Sequence, residues 1–136
     1  MANEAVKIEH GVKNARSYTC ADGTSISRGT LLKLTDPNTA SATAVSGVVL
    51  VQFAGIAAAD KIANDGSTTI SCWTDGIFDL KAGTDTITAG DLVMISGANL
   101  IQRALNGAQL SGAIVGKALE TASASEVIRV AVGSIV

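Results

Sequence analysis

Residues 54–80 read AGIAAADKIANDGSTTISCWTDGIFDL and hold the chain's single Trp together with its clearest succession of strands and turns. Residues 68–73, TTISCW, are rich in the β-branched and aromatic side chains that suit a pleated, half-buried surface. Asn64-Asp65-Gly66 precedes them and Asp75-Gly76 follows, and both favour turns. The stretch predicts three consecutive strands in a meander, with a structural core of Ile56, Ile70, Cys72, Trp73, Ile77, Phe78 and Leu80.

The composition around this stretch indicates an all-β protein. Of 136 residues, 47% are hydrophobic but only 3% are aromatic, so the core must consist mainly of Val, Ile, Leu and Ala. Fourteen Gly accompany a single Pro, Pro37, and such a composition suits short strands joined by tight turns. A chain of this length can bury the core of one domain. We expect a single β domain over residues 18–136.

Two motifs recur 61 positions apart. Residues 26–34, ISRGTLLKL, match residues 87–95, ITAGDLVMI, and residues 54–57, AGIA, match residues 115–118, VGKA. Such self-similarity indicates repeated structural units, and the Gly of each Gly-x-Ala would let another backbone pass close by. The chain is expected to hold two similar β units, at about 18–80 and 81–136, packed into one small β-barrel or sandwich of the β-tulip-like type.

Residues 1–17 differ from the rest and predict an extended N-terminal arm. Val6, Ile8 and Val12 alternate with charged or small residues, and this period of two places them on one face of an extended strand. The arm could be a frayed terminus, a first core strand, or a segment that adds to the sheet edge of a partner. The candidate binding residues of the arm are Ala5, Val6, Lys7, Ile8, Glu9, His10, Val12 and Lys13.

The titratable residues predict no catalytic, cofactor or metal site. The only His lies in the arm, and Cys20 and Cys72 lack the CxxC or HxxxH spacing of a zinc site. We expect both cysteines to be reduced, partly buried thiols. Asp75 and Asp79 could flank a calcium ion, but no DxDxDG-type loop is present, and both glycine-rich phosphate-loop patterns are absent. A small hydrolase that uses Cys72 or Asp75 is the enzymatic alternative.

Charge and hydropathy argue against nucleic-acid and membrane partners. The formal net charge is −2, whereas nucleic-acid-binding proteins usually carry a basic patch. The longest apolar run, residues 48–51, is far shorter than the ~20 residues of a membrane helix. No basic-then-apolar signal peptide opens the sequence. We expect a soluble protein made in the cytosol.

The order of several motifs resembles the tailed-phage capsid cement proteins, including the lambda-type head decoration proteins. These motifs are ISRGTLL at 26–32, AGIA at 54–57, DGIFDL at 75–80, ITAGDLV at 87–93, VGKALE at 115–120 and VIRV at 127–130. Residues 54–80 are also similar to the central stretch of the lambda-type proteins, and the apolar ending GSIV, residues 133–136, is similar as well. The long segment after Leu80 departs from the smaller lambda-type proteins.

The resemblance implies a non-enzymatic virion protein that forms homotrimers on the outer surface of an expanded phage head. There it would clamp adjacent major capsid proteins and stabilise the shell. In this interpretation the arm pairs with an edge strand of the capsid protein, where Val6, Ile8 and Val12 pack and Lys7 and Lys13 meet carboxylates. A tail-tube, connector or fibre module is the alternative. A carbohydrate-binding module is a further one, although the chain has only one Trp, one Tyr and two Phe.

Overall fold

The structure is a computed structural model, and it describes residues 15–42, 51–108, 110 and 112–133. This part of the chain forms ten strands and no helix, and so none that could cross a membrane. The strands are β1 Ala15–Thr19, β2 Leu31–Thr35, β3 Thr39–Ala42, β4 Phe53–Ala57, β5 Thr69–Trp73, β6 Gly76–Ala82, β7 Leu92–Gly97, β8 Leu100–Arg103, β9 Ile114–Ala118 and β10 Val127–Val132. The all-β prediction is confirmed.

The ten strands form two closed five-stranded barrels with the same topology. The first barrel has the order β1-β3-β2-β4-β5 and the second has the order β6-β8-β7-β9-β10. The predicted spacing of 61 recurs in detail, since the isolated bridge between Ile26 and Lys61 has its counterpart between Ile87 and Ala122. Each half is therefore a complete barrel, and the two do not combine into one sheet system.

Backbone conformation repeats along with the topology. Gly29 and Gly90 both have a positive φ, and both donate their N–H to the Ala carbonyl of the Gly-x-Ala motif, Ala57 and Ala118 respectively. The middle Gly of that motif allows the close approach expected from the sequence. A Cβ on Gly55 would lie 2.7 Å from the Trp73 carbonyl oxygen, and one on Gly116 would collide with that of Ala131. These glycines permit the last two strands of each barrel to pair.

Adjacent residues of β2 serve two different cores. Leu32 belongs to a cluster made only of first-barrel residues, with Tyr18, Ile70 and Cys72 among them. Leu31 belongs to a second cluster, which contains the interior of the second barrel. Because successive side chains of a strand point to opposite faces, Leu31 lies on the outside of the first barrel. The first barrel is thus apolar both inside and on one outer face.

That outer face packs against the second barrel. Leu31 pairs with Ile56, and Ile56 pairs with Trp73, so the three side chains form one stripe. The Trp73 ring contacts Phe78 of β6 at a centroid distance of 5.6 Å. The Leu31 N–H donates to Asn99 Oδ1 at 3.0 Å, and the Phe53 N–H donates to the Gly112 carbonyl at 3.1 Å. The stripe joins the barrels into one body.

The predicted meander is wrong at its third strand. β4 and β5 pair with each other, but β6 pairs with β10 and β8 of the second barrel. The Asp75-Gly76 dipeptide signals a turn, yet it carries the chain from one barrel to the next and forms no hairpin. The two halves meet at Thr74-Asp75, earlier than the boundary after Leu80.

The placement of Ile77 in the core is also wrong, because its side chain is 64% exposed. Residues of β6 alternate, so Leu80 faces inward and is buried whereas Ile77 and Asp79 face solvent. Among the other residues expected in the core, Ile56, Ile70 and Cys72 are buried. Trp73 and Phe78 are partly buried and pack against the shared cluster.

Candidate functional site

The eight arm residues singled out in the sequence lie outside the described residues. They are Ala5, Val6, Lys7, Ile8, Glu9, His10, Val12 and Lys13. The structure does describe residues 15–17, which the sequence assigns to the end of the arm. They lie in β1, where they pair with β5 from Ala15↔Trp73 onward. A segment that precedes Ala15 therefore leads directly into the wall of the first barrel.

The two cysteines are buried, free thiols inside the first barrel. Burial raises the pKa of the Cys72 thiol to about 11, with a smaller contribution from Cys20. Burial also raises the pKa of Cys20. A thiol with a raised pKa carries little thiolate at neutral pH, and the thiolate is the nucleophile. The environment of both cysteines therefore favours packing over reaction.

Among the described residues, Lys61 is the one buried charged side chain, and the sequence did not indicate its burial. Its side chain is only 2% exposed, and its ammonium contacts Asp22 Oδ1 at 3.1 Å and Asp65 Oδ1 at 2.6 Å. It also donates to the carbonyl oxygens of Asp22 and Ile62. Burial alone would lower the pKa of Lys61, but the hydrogen bonds to the two carboxylates outweigh it and raise that pKa. The cluster ties two loops at one edge of the first barrel.

The carboxylates elsewhere are dispersed over turns. Among the described residues, no group of three His, Cys, Asp or Glu side chains is placed to hold a metal ion. Asp79 lies on the outer face of β6, and Asp91 contacts Arg103 at 3.7 Å. Three open clefts of about 380, 560 and 420 Å³ occur in this part of the chain. Their linings bring together no nucleophile and base.

The outer face of β6, β10 and β9 is the most distinctive surface of the described residues. Ile77 is 64% and Val127 60% exposed, although both lie on regular strands. Between them Asp79 is registered with Arg129, and Lys81 with Val127. The structurally equivalent pairs on β1 and β5 are Ser17–Ser71 and Thr19–Thr69. The second barrel thus exposes apolar and charged side chains where the first exposes small hydroxyl residues.

This face is suited to a protein partner. It is formed by neighbouring strands and lies outside all three clefts, whereas small-molecule sites are concave. Its exposed aliphatic side chains can be covered by another protein, while Lys81 and Arg129 can pair with carboxylates at the margin. The residue types of this face do not distinguish it from the buried face of a core strand, because Val127 and Ile77 are typical core residues. Only the alternation along β6 and β10 indicates it.

Comparison with known protein families identifies the class. The family model described as phage cement protein matches residues 17–134, which include all but the first two residues of the ten strands. A search of curated protein sequences finds no match. The matched region covers most of the chain, and its repeat-built, all-β body agrees with the motif order that first suggested the resemblance. The chain belongs to the phage cement protein family.

Proposed function

We propose that this cement protein binds the outer surface of an expanded phage capsid as a homotrimer and clamps adjacent major capsid proteins. Its family makes it a capsid-stabilising structural protein of phage. The trimer, the clamp and the role of residues 1–17 as an arm are the parts that we add. Capsid protein and further copies of the chain are its partners, without nucleic acid or membrane. The virion exterior is its place of action, after synthesis in the host cytoplasm.

The observation that carries the proposal for the arm is the closure of both barrels. Each strand of either barrel has a neighbour on both sides, so free edge is left where two strands pair over only one or two residues, as β1 does with β3 and β6 with β8. We assign the main-chain pairing with a capsid strand to the residues that precede the barrels. Residues 1–14 directly precede β1 and carry the alternating pattern of Val6, Ile8 and Val12. That pattern matches strand addition to a sheet edge.

The role as a clamp follows from combining weak sites. Ordering an arm on binding costs conformational entropy, so one arm would bind modestly. Three arms on one trimer raise the local concentration of the second and third arms and strengthen binding without new contacts. Each arm can engage a different capsid subunit, so dissociation of the subunits is opposed. The rigid two-barrel body holds the three arms at fixed spacing.

Substitution of the two faces of the arm separately tests the proposal. The first variant changes Val6, Ile8 and Val12 to Ser, and the matched control changes Lys7, Glu9 and Lys13 to Ser. If the apolar face packs on the capsid, the first variant binds expanded capsids at least tenfold more weakly than the control. A third variant, Ile8→Pro, removes a backbone donor in the middle of the predicted strand. It should also weaken binding when main-chain pairing holds the arm.

Binding is measured by co-sedimentation with expanded capsids, and the oligomeric mass by light scattering. Residues 2–13 can also be deleted, because that deletion ends before β1 and leaves the barrels intact. We expect the deleted protein to remain a folded trimer that no longer decorates capsids. Normal decoration by the deleted protein would show that the arm is not the binding element.

A further inference from the structure

The contact between the two barrels joins unlike surfaces of two like units. The first barrel contributes the start of β2, at Leu31, whereas the second contributes the β7–β8 turn, at Asn99, whose Oδ1 accepts the Leu31 N–H. When two similar units meet through unlike surfaces, each unit also carries the counterpart of the surface that the other unit uses, and that counterpart stays uncovered. The equivalents 61 positions away are Leu92 in the second barrel and Asn38 in the first.

The unused surface around Leu92 on the second barrel is an open cleft. Gly90, Asp91 and Leu92 line it, with Arg103 and Ile114 across from them, and its volume is about 380 Å³. Leu31 is 1% exposed at the equivalent position of the first barrel, where the second barrel covers it. Leu92 is only partly buried. The surface that the second barrel covers at Leu31 is therefore open at the equivalent Leu92.

The unused turn on the first barrel shares a left-handed Asn with its docked counterpart. Asn38 has φ 51° and Asn99 has φ 56°. The turns around them differ in length, since Thr35 pairs with Thr39 whereas Gly97 pairs with Leu100. The Asn38 side chain is exposed and has no hydrogen-bond partner among the described residues. Leu34 beside it is 37% exposed, whereas its equivalent Ile95 is 1% exposed within the shared core. Leu34, Asp36 and Asn38 line a second cleft of about 420 Å³.

The charges of the two unused surfaces are complementary. On the surface around Leu92, the second barrel has Arg103 and Lys117 at the positions equivalent to Ala42 and Ile56 of the first. Arg103 is 71% exposed. Asp91 at the edge of that surface neutralises part of this charge through its 3.7 Å contact with Arg103. On the turn, Asp36 replaces Gly97. Opposite charges at the margins orient two folded proteins as they meet.

We infer that copies of this chain associate head to tail, with the Asn38 turn of one copy seated on the Leu92 cleft of the next. The Leu92 N–H is then the donor to Asn38 Oδ1, as the Leu31 N–H is to Asn99 Oδ1 within the chain. A head-to-tail contact has to close into a ring or continue as a filament. With the trimer of the proposed function, on which this inference rests, three chains form a ring of six barrels.

Removal of the Asn38 amide is the first test. Asn38→Gly keeps the positive φ without strain, and Asn64→Gly is the matched control, since Asn64 has φ 63° in another turn. Loss of one hydrogen bond at each contact should weaken self-association about tenfold, whereas the control should associate like the parent. Analytical ultracentrifugation over a dilution series measures this difference. Equal association of the two variants would overturn the inference.

A cross-link between copies is the second test. The double variant Asn38→Cys, Leu92→Cys is treated with a short bis-maleimide in the full-length protein. Cys20 and Cys72 are buried, so the parent serves as the background control. We expect covalent products of two and three chains from the double variant, and none from Asn64→Cys, Leu92→Cys. A parent trimer without cross-linking of the double variant contradicts the head-to-tail contact.

The proposed function is judged separately by co-sedimentation with capsids. A protein that decorates capsids but fails both tests keeps its proposed function and loses the head-to-tail contact. A protein that passes both tests but does not decorate capsids keeps the contact and loses the proposed function.

Discussion

Lys61 shows how one side chain can fix a loop edge of a barrel. Its ammonium has four oxygen acceptors, two from carboxylates and two from carbonyl groups. A buried ammonium is costly unless it is paired and hydrogen-bonded, and here the pairing is complete. Asp65 is further held by the Ser67 N–H, and Asp22 by the Gly66 N–H. The second barrel has Ala122 at the equivalent position and needs no such cluster.

This cluster predicts a loss of stability in acid. The hydrogen bond from Lys61 lowers the pKa of Asp65, so the folded state favours the ionised carboxylate. The contribution is present above the unfolded pKa of ~3.9 and is lost as pH falls through the lower folded value. The raised pKa of Lys61 acts at the other limit, where its contribution is lost only as pH rises above the ordinary lysine range. Asp65→Asn should therefore flatten the acid limb of the stability curve.

Thermal unfolding between pH 2 and pH 7 measures this effect. Asp85→Asn is the control, because Asp85 is exposed in a turn and is not part of the cluster. We expect the control to keep the acid dependence of the parent, while Asp65→Asn is less stable than the parent at pH 7 and approaches it at low pH. A parallel shift of the Asp65→Asn curve at all pH values would refute the role of this carboxylate.

The closure of β9 against β10 depends on a single missing side chain. A Cβ at position 116 would overlap the backbone of Ala131, and one at position 55 would meet Trp73 at 2.7 Å. Gly116→Ala should therefore destabilise the fold by about 3 kcal/mol or more, since a backbone atom cannot move as a flexible side chain does.

Gly23→Ala is the matched control for this strand pair. The nearest atom to a Cβ at position 23 is Asn64 Oδ1 at 3.9 Å, an ordinary contact, and the exchange should be neutral or slightly stabilising. Chemical denaturation of the three proteins gives the free energies of unfolding. If Gly116→Ala were as stable as Gly23→Ala, the close approach of these strands would be wrong.

Most strands could be predicted from local pattern, because a strand's side chains and the turn residues at its ends are both local features. β5 over 69–73 occurs within residues 68–73, where the sequence predicts a strand. The partner of β6 could not be predicted in this way, since Asp75-Gly76 favours a turn whether the chain returns in a hairpin or crosses to another barrel. The error for Ile77 has the same origin, because the inward face of β6 depends on β10.

The features of the candidate site also differ in whether local sequence could predict them. The repeat of 61 positions indicated the Gly-x-Ala closures, which depend on residues within one motif. The Lys61 cluster joins residues 39 positions apart in the chain, and no motif within one segment indicates it. The stripe of Leu31, Ile56 and Trp73 is apolar because it is buried, as a core strand is. Its position outside the first barrel requires knowledge of how the barrels pack.

Duplication with divergence explains how two similar barrels make one asymmetric body. At the middle of the stripe, Ile56 of the first barrel corresponds to Lys117 of the second, and Trp73 is structurally equivalent to Ala131. The first barrel therefore has two large apolar side chains where it is covered, and the second has a lysine and a small side chain at the same positions. This difference prevents the second barrel from burying a further unit as tightly as the first barrel buries the second. A contact made there between copies is more polar, as in associations of separately folded proteins.

Single substitutions at Ile56 and Lys117, each to the residue of the other barrel, test this asymmetry. Ile56→Lys places an unpaired cation in a contact where Ile56 is 1% exposed, and it should cost on the order of 4 kcal/mol. Lys117→Ile changes an exposed residue and should alter the free energy of unfolding by less than about 0.5 kcal/mol. Calorimetry should show one transition for the parent and for Lys117→Ile. It should show a lower or divided transition for Ile56→Lys, because barrels that no longer share a core can unfold separately. Equal unfolding of the two variants would mean that the barrels do not stabilise each other through this stripe.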